Sequence, residues 1–166
     1  VRRGEFVAGK YLGLCAILLV CVAVMGGILA GVLAGAGHAL GPAFAPAIGL
    51  IFLEGAVLGA VAVLWAAATS PVLAGLLTLA TWAIGHGSGD LKELLALSPS
   101  AGAQSAVEAL SWVVPRLYLF ADTLPVLAGT GYPADRLAWA AIYAFGYAGA
   151  ALVGAALLLR RREFSL

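Results

Sequence analysis

Charge is what this sequence of 166 residues has least of. Only 10% of it is Asp, Glu, Lys or Arg, against 63% apolar residues and a mean hydropathy of +1.06. A soluble domain carries about 25% charged residues, so a water-facing surface cannot be covered and a soluble globular fold is excluded. Cysteine is nearly absent as well. Cys15 and Cys21 lie six apart in one apolar run, on different faces of a helix, which rules out a disulfide framework or a metal-ligand spacing. They read as small packing residues. There is no Gly-Lys-Ser/Thr ending to a glycine-rich loop and no His-Glu-x-x-His pair; the only histidines are His38 and His86. Neither a nucleotide loop nor a zinc-hydrolase site can be built from these residues. Apolar and polar residues do not alternate, which excludes a membrane β-barrel.

What is present is a set of long apolar runs. Residues 11–35 carry no charge and exceed the roughly 20 residues that cross about 30 Å of hydrocarbon as a helix. A second run, residues 47–68, is charge-free except for Glu54, with Pro46 placed to open the helix. Thr69-Ser70-Pro71 breaks the chain, and a third, shorter run follows over residues 72–86, read as a thin or tilted span. The last run covers residues 136–159. The turn between the first two runs is Gly37 to Pro42. Six of the nine basic residues sit at the two ends, as Arg2, Arg3, Lys10, Arg160, Arg161 and Arg162. By the positive-inside rule both termini are cytoplasmic, so the number of spans is even. The expectation is an all-α, polytopic bundle of about four spans in the plasma membrane of a bacterial or archaeal cell, with 1–10 as a cytoplasmic amphipathic segment and 161–166 as a cytoplasmic tail.

Residues 87–135 differ in kind. Gly85-His86-Gly87-Ser88-Gly89 is expected to break the helix, and Asp90 with Glu93 has the pattern of a capping box, as do Ser105 and Glu108. Short amphipathic helices at the outer interface are predicted, with Trp112, Tyr118 and Tyr132 at headgroup level and Pro115, Pro125 and Pro133 preventing one long helix.

Two sets of residues stand out. Gly27, Gly31 and Gly35 fall at spacing four, as do Gly55 and Gly59. Such spacing flattens one helix face so that another backbone can approach, and packing within the chain is the expected use. Glu54 is the one ionisable group well inside a span, about 10 Å from the outer end at 1.5 Å per residue. A carboxylate there is costly unless protonated, paired or wet, which makes it a functional candidate. His86, at the same outer side, is a candidate partner, as is His38. The opposing reading is a protonated or interfacial Glu that hydrogen-bonds a neighbouring helix.

With these residues in view the chain resembles the membrane permease subunits of ABC transporters of the second exporter class. Arg3-Gly4-Glu5-Phe6-Val7-Ala8-Gly9-Lys10 is similar to the family's Arg-x-Glu-Phe/Tyr-x-x-Gly-Lys segment before its third membrane helix. Pro115-Arg116-Leu117-Tyr118-Leu119-Phe120 is similar to the Pro-Asn-Leu-x-x-Phe segment before the last helix, with Arg116 standing where the family has Asn. Arg160-Arg161-Arg162-Glu163-Phe164 resembles the family's basic-acidic-aromatic ending. The resemblance implies a chain that supplies the last four of six spans. It further implies a cytoplasmic segment in which Arg3, Glu5, Phe6 and Lys10 touch a separate ABC ATPase subunit, and a second permease copy or paralogue. It implies no cofactor and no catalysis in this chain, and a path through the bilayer lined by Glu54, Thr78, Thr81 and His86. No nucleic-acid partner is expected. Two further readings stay open: a proton-coupled secondary transporter using Glu54, and a non-catalytic assembly protein that binds partners through its glycine faces.

Overall fold

The computed structural model describes residues 3–96, 114–121, 125 and 129–161. Four α-helices account for most of them: α1 Arg3–Gly35, α2 Phe44–Ala68, α3 Pro71–Ala96 and α4 Ala134–Arg161. A 3-10 turn, Leu117–Leu119, stands between α3 and α4, and no strand occurs among the described residues. The chain is an all-α bundle. Gly4–Gly35, Phe44–Ala68 and Ala134–Leu159 are long and apolar enough to cross a membrane, and Pro71–Gly87 is a shorter apolar stretch.

The local chemistry explains the helix ends. α1 stops where Gly37 takes φ +79°, and the His38 and Gly37 amides donate to the Leu33 and Ala34 carbonyls at 2.9 and 3.1 Å. That pair of bonds satisfies the last free carbonyls of the helix, and only glycine enters the left-handed region without strain. α2 starts at Phe44, so Pro46 lies inside the first turn, where its missing N–H costs nothing. The Thr69 amide and hydroxyl both donate to the Trp65 carbonyl at 2.8 Å, and Pro71 opens α3.

α2 is the central helix, packed against α1, α3 and α4. Its contact with α4 is made by small side chains. Ala140, Ala144, Ala148, Ala151 and Ala155 are all buried, while Trp139, Phe145 and Val153 on the same helix are at least 61% exposed. Small residues inward and large ones outward is how helices pack where the surrounding solvent is hydrocarbon, because association then depends on close van der Waals approach. The α1 contact is built from glycine instead. A Cβ on Gly55 would lie 2.6 Å from Leu18 Cδ2, and one on Gly59 would lie 2.5 Å from Leu14 Cδ2. Two leucines of α1 thus fill the spaces that two α2 side chains would occupy.

Three features depart from the sequence-based expectation. The expected break at Gly85–Gly89 does not occur. α3 runs through it to Ala96, and Asp90 lies inside the helix instead of capping a new one. A glycine in a helix costs about 1 kcal/mol relative to alanine, which weakens a helix without stopping it; positive φ among the described residues is confined to Gly37 and Gly129. Residues 3–10 run without a break into the first apolar run, since α1 is continuous from Arg3. Among the described residues the stripe Gly27, Gly31, Gly35 packs on nothing, with no atom within 4 Å of a Cβ on any of them; Gly26 makes the contact instead, where a Cβ would lie 3.1 Å from Ile48 Cδ1. Finally, Pro115, Leu117 and Phe120 are buried in the bundle instead of lying on its surface. The proposed caps at Ser105 and Glu108, and Trp112, lie outside the described residues.

The glycine contacts give a direct test. Gly59→Leu should destabilise the chain by about 1–3 kcal/mol through overpacking, read as a lower unfolding temperature in detergent. Gly31→Leu, the same chemical change facing open space, should leave that temperature unchanged.

Candidate functional site

The only charged side chain in the described part of α2 is Glu54, and the fold gives it a partner. α2 and α3 form an antiparallel pair about the Thr69-Ser70 break, so residues equally distant from that break face each other. His86 arrives opposite Glu54 by this register, with its Nε2 3.5 Å from Glu54 Oε1. The side chains are 30% and 18% exposed, respectively, so the contact is mostly withdrawn from the surroundings. Trp82, one turn earlier on α3, packs its ring against the imidazole with centroids 5.1 Å apart. His86 Nδ1 is buried without a hydrogen-bond partner among the described residues. A carboxyl–imidazole pair stays at zero net charge with its proton on either group, which removes the main cost of placing an acid among apolar helices. The same property lets the pair hold or pass on a proton.

The other expected path residues are further along α3. Thr78 Oγ1 donates to the Ala74 carbonyl at 2.7 Å, and Thr81 Oγ1 donates to the Leu77 carbonyl at 2.7 Å while accepting from Trp65 Nε1 at 3.4 Å. Both hydroxyls are committed to their own helix, and Thr81 also ties α3 to α2. They form a half-buried polar line on the inner side of α3 rather than a cluster with Glu54. His38 is exposed in the turn after α1. His86, not His38, is therefore the partner of Glu54.

A third component comes from the segment before α4. Leu117 and Phe120 join Leu50, Val57, Ala140 and Ala144 in one buried cluster, and Leu117, Val57 and Pro115 are the largest fully buried side chains. Leu50, Glu54 and Val57 are spaced three and four residues apart, so they share one face of α2. The segment reaches α3 at Gly85, next to His86: a Cβ there would lie 2.8 Å from the Pro115 carbonyl oxygen and 2.9 Å from Leu117 Cδ1. The Arg116 amide donates to Tyr143 Oη at 2.8 Å, and the Tyr143 ring stacks obliquely with Phe120 and Tyr147. Gly85, Leu117 and Tyr143 were not singled out from sequence. Gly85 was read there only as the start of an expected helix break, and nothing local marks Leu117 as buried.

The expected coupling residues lie at the opposite end. Glu5, Phe6 and Lys10 are exposed, with Phe6 at 63%, while Val7 between them is buried with Val63, Ala67 and Ala155. Arg3 is the first residue of α1. From Glu54 to the end of α2 at Ala68 is about 20 Å at 1.5 Å per residue, so the two sets are separate sites. Between them, α1, α2 and α4 enclose an apolar cleft of about 350 Å³ lined by Tyr11, Cys15, Phe52 and Phe145, among others. The Tyr11 hydroxyl donates to the Ala56 carbonyl at 3.1 Å across its floor. Among the described residues no three His, Cys, Asp or Glu side chains group as a metal site.

No protein-family model, no curated protein and no solved structure matches this chain.

A double-mutant cycle with Glu54→Gln and His86→Gln tests whether the pair interacts. Unfolding in detergent should give a coupling energy of about 1 kcal/mol, the upper range for a partly exposed ion pair. Strict additivity of the two single variants would mean proximity without interaction.

Proposed function

We propose that this chain is the membrane-spanning permease part of an ATP-driven exporter, working with a separate ABC ATPase and a second permease copy or paralogue. The observation that carries the reading is the build of α1. One unbroken helix holds both the exposed Glu5, Phe6 and Lys10 and the apolar span, and Val7 in the same turn is locked into the α2 and α4 ends. A partner that grips Phe6 therefore pulls on the whole bundle, because a continuous helix has no joint at which the displacement could be lost. The sequence has no phosphate loop, so nucleotide chemistry belongs to the partner.

On this reading both termini are cytoplasmic, and the Glu54–His86 end faces outward. ATP binding draws the two ATPase subunits together and stabilises one of two bundle conformations. The shift can be no larger than the difference in the partner's affinity for the two. The half-buried Thr78 and Thr81, with Glu54 and His86, supply the polar groups of the path. The Glu54–His86 contact also favours a second reading, a carrier that couples transport to proton movement through that pair. It differs in needing no ATPase.

Affinity purification of the full chain from native membranes in mild detergent separates the two. An ABC ATPase should be recovered with the parent and lost from the variant Glu5→Ala/Phe6→Ala. Both side chains are exposed, so the fold is expected to survive the change. No ATPase under conditions that preserve a known transporter complex would refute the exporter reading and leave the proton-coupled one.

A further inference from the structure

The segment Pro115–Phe120 is held to the bundle in an unusual way. Three of its backbone bonds are internal: Leu117 N–H to the Pro115 carbonyl, Leu119 N–H to the Arg116 carbonyl, and Phe120 N–H to the Leu117 carbonyl, at 2.9 to 3.3 Å. Among the described residues a single hydrogen bond, Arg116 N–H to Tyr143 Oη, ties that backbone to a helix. The remaining attachment is apolar, through the buried Pro115, Leu117 and Phe120. A unit that satisfies its own backbone can leave its seat as a whole, losing one outside bond and leaving few orphaned polar groups. Its seat, in turn, depends on α2 and α3 standing close together. Leu117 rests on the α2 face that bears Glu54 and in the notch left by the missing side chain of Gly85, beside His86.

We infer that Pro115–Phe120 is a strap that latches this end of the bundle, with Leu117 as the bolt, Gly85 as the notch and the Glu54–His86 contact as the tie that keeps the notch in place. The two fastenings are coupled by geometry. Moving α3 away from α2 separates the carboxylate from the imidazole and dissolves the pocket around Leu117 in one step. Lifting Leu117 removes the side chain that packs both helices together next to the pair. A packed site of this kind has two arrangements, seated and unseated, with little between them, because close-packed interiors deform discontinuously. That the strap is the outward gate of a transport path rests on the exporter reading above; the latch itself rests on the packing alone.

The test uses the full chain in detergent with Cys15 and Cys21 replaced by Ala and a single new cysteine, Leu117→Cys or Arg116→Cys, reacted with a water-soluble maleimide. Arg116 is exposed and Leu117 is 0% exposed, so the neighbours serve as reporter and control. Position 117 should label at least tenfold more slowly than position 116, since it reacts only through local opening. Adding Glu54→Gln should raise the rate at 117 by about tenfold, as expected for loss of one charge-assisted contact, and leave the rate at 116 unchanged. Gly85→Val, which puts a side chain against the Pro115 carbonyl, should have the same effect by a different route. If Gly85→Val does not stay monodisperse, Tyr143→Phe removes the Arg116 acceptor at nearly constant volume and should also speed labelling at 117. Equal rates at 116 and 117 in the parent overturn the latch. So does a rate at 117 that moves less than about twofold in all the variants. Labelling needs no ATPase, so this result and the co-purification result stand or fall separately.

Discussion

Everything in this bundle depends on how closely α2 can approach its neighbours. In water, burying large apolar side chains would supply the driving force for association, but a helix leaving hydrocarbon for another helix gains little by that route. What it gains is contact, and contact is greatest where side chains are smallest. α2 meets this requirement on two faces by different means. Gly55 and Gly59 leave hollows that Leu18 and Leu14 fill, while α4 brings a run of alanines to Leu50, Val57 and Ala60. Other large residues of the two helices, such as Ile17 and Met25 of α1 and Trp139 and Phe145 of α4, are turned outward, where a hydrocarbon solvent accepts them at no cost.

That close packing sets the terms on which Glu54 can exist. It directly precedes Gly55, where α2 is pressed against α1, and its side chain is only 18% exposed, so a partner within the bundle lowers its cost. The antiparallel pairing with α3 delivers His86 to it, and the long Trp65 side chain reaches Thr81 to tie the two helices at a second point. The imidazole thereby gives the carboxyl group a polar partner inside the bundle. Gly85, adjacent to His86, serves the same region differently, by letting the Pro115–Phe120 segment come within contact of the α3 backbone. The polar pair and the apolar plug are therefore consequences of two neighbouring residues on one helix.

The parts of this arrangement that sequence alone revealed are those that follow from composition and local register. Long charge-free runs specify helices of spanning length, Gly37 and Pro71 mark the turns, and the isolation of Glu54 draws attention to it before any partner is known. His86 was within reach of the same reasoning, because a short hairpin pairs residues equidistant from its turn. The glycines were harder. Spacing of four in Gly27, Gly31 and Gly35 is the same signal as in Gly55 and Gly59, yet only the second pair packs within the chain, since spacing defines a face but not what lies opposite it. The run Gly85 to Gly89 misled for a related reason: several glycines lower helix propensity, but the cost is small enough for tertiary contacts with Leu117 to override it. The burial of Leu117 could not be read at all, because it depends on a cavity assembled from three helices distant in sequence.

The two ends of the bundle are joined by α2 without a hinge, and this bears on how a signal could cross it. Val63 and Ala67 hold Val7 and Ala155 at one end, and Leu50 and Val57 hold Leu117 and the α4 alanines at the other. A helix of this length with no internal proline beyond its first turn transmits displacement and rotation along its axis with little loss. A small rotation of α2 forced at Val63 would therefore appear at Glu54, where the Glu54–His86 contact and the Leu117 seat are both sensitive to the α2–α3 separation. Pull on α1 reaches α2 through Val7 at its foot and through Leu14 and Leu18 in the glycine hollows, which prevent the helices from sliding past each other in small steps. A bundle joined in this way has few soft coordinates. The one that combines a self-contained backbone, a single tethering hydrogen bond and a neighbouring ionisable pair is the motion of Pro115–Phe120 out of its seat.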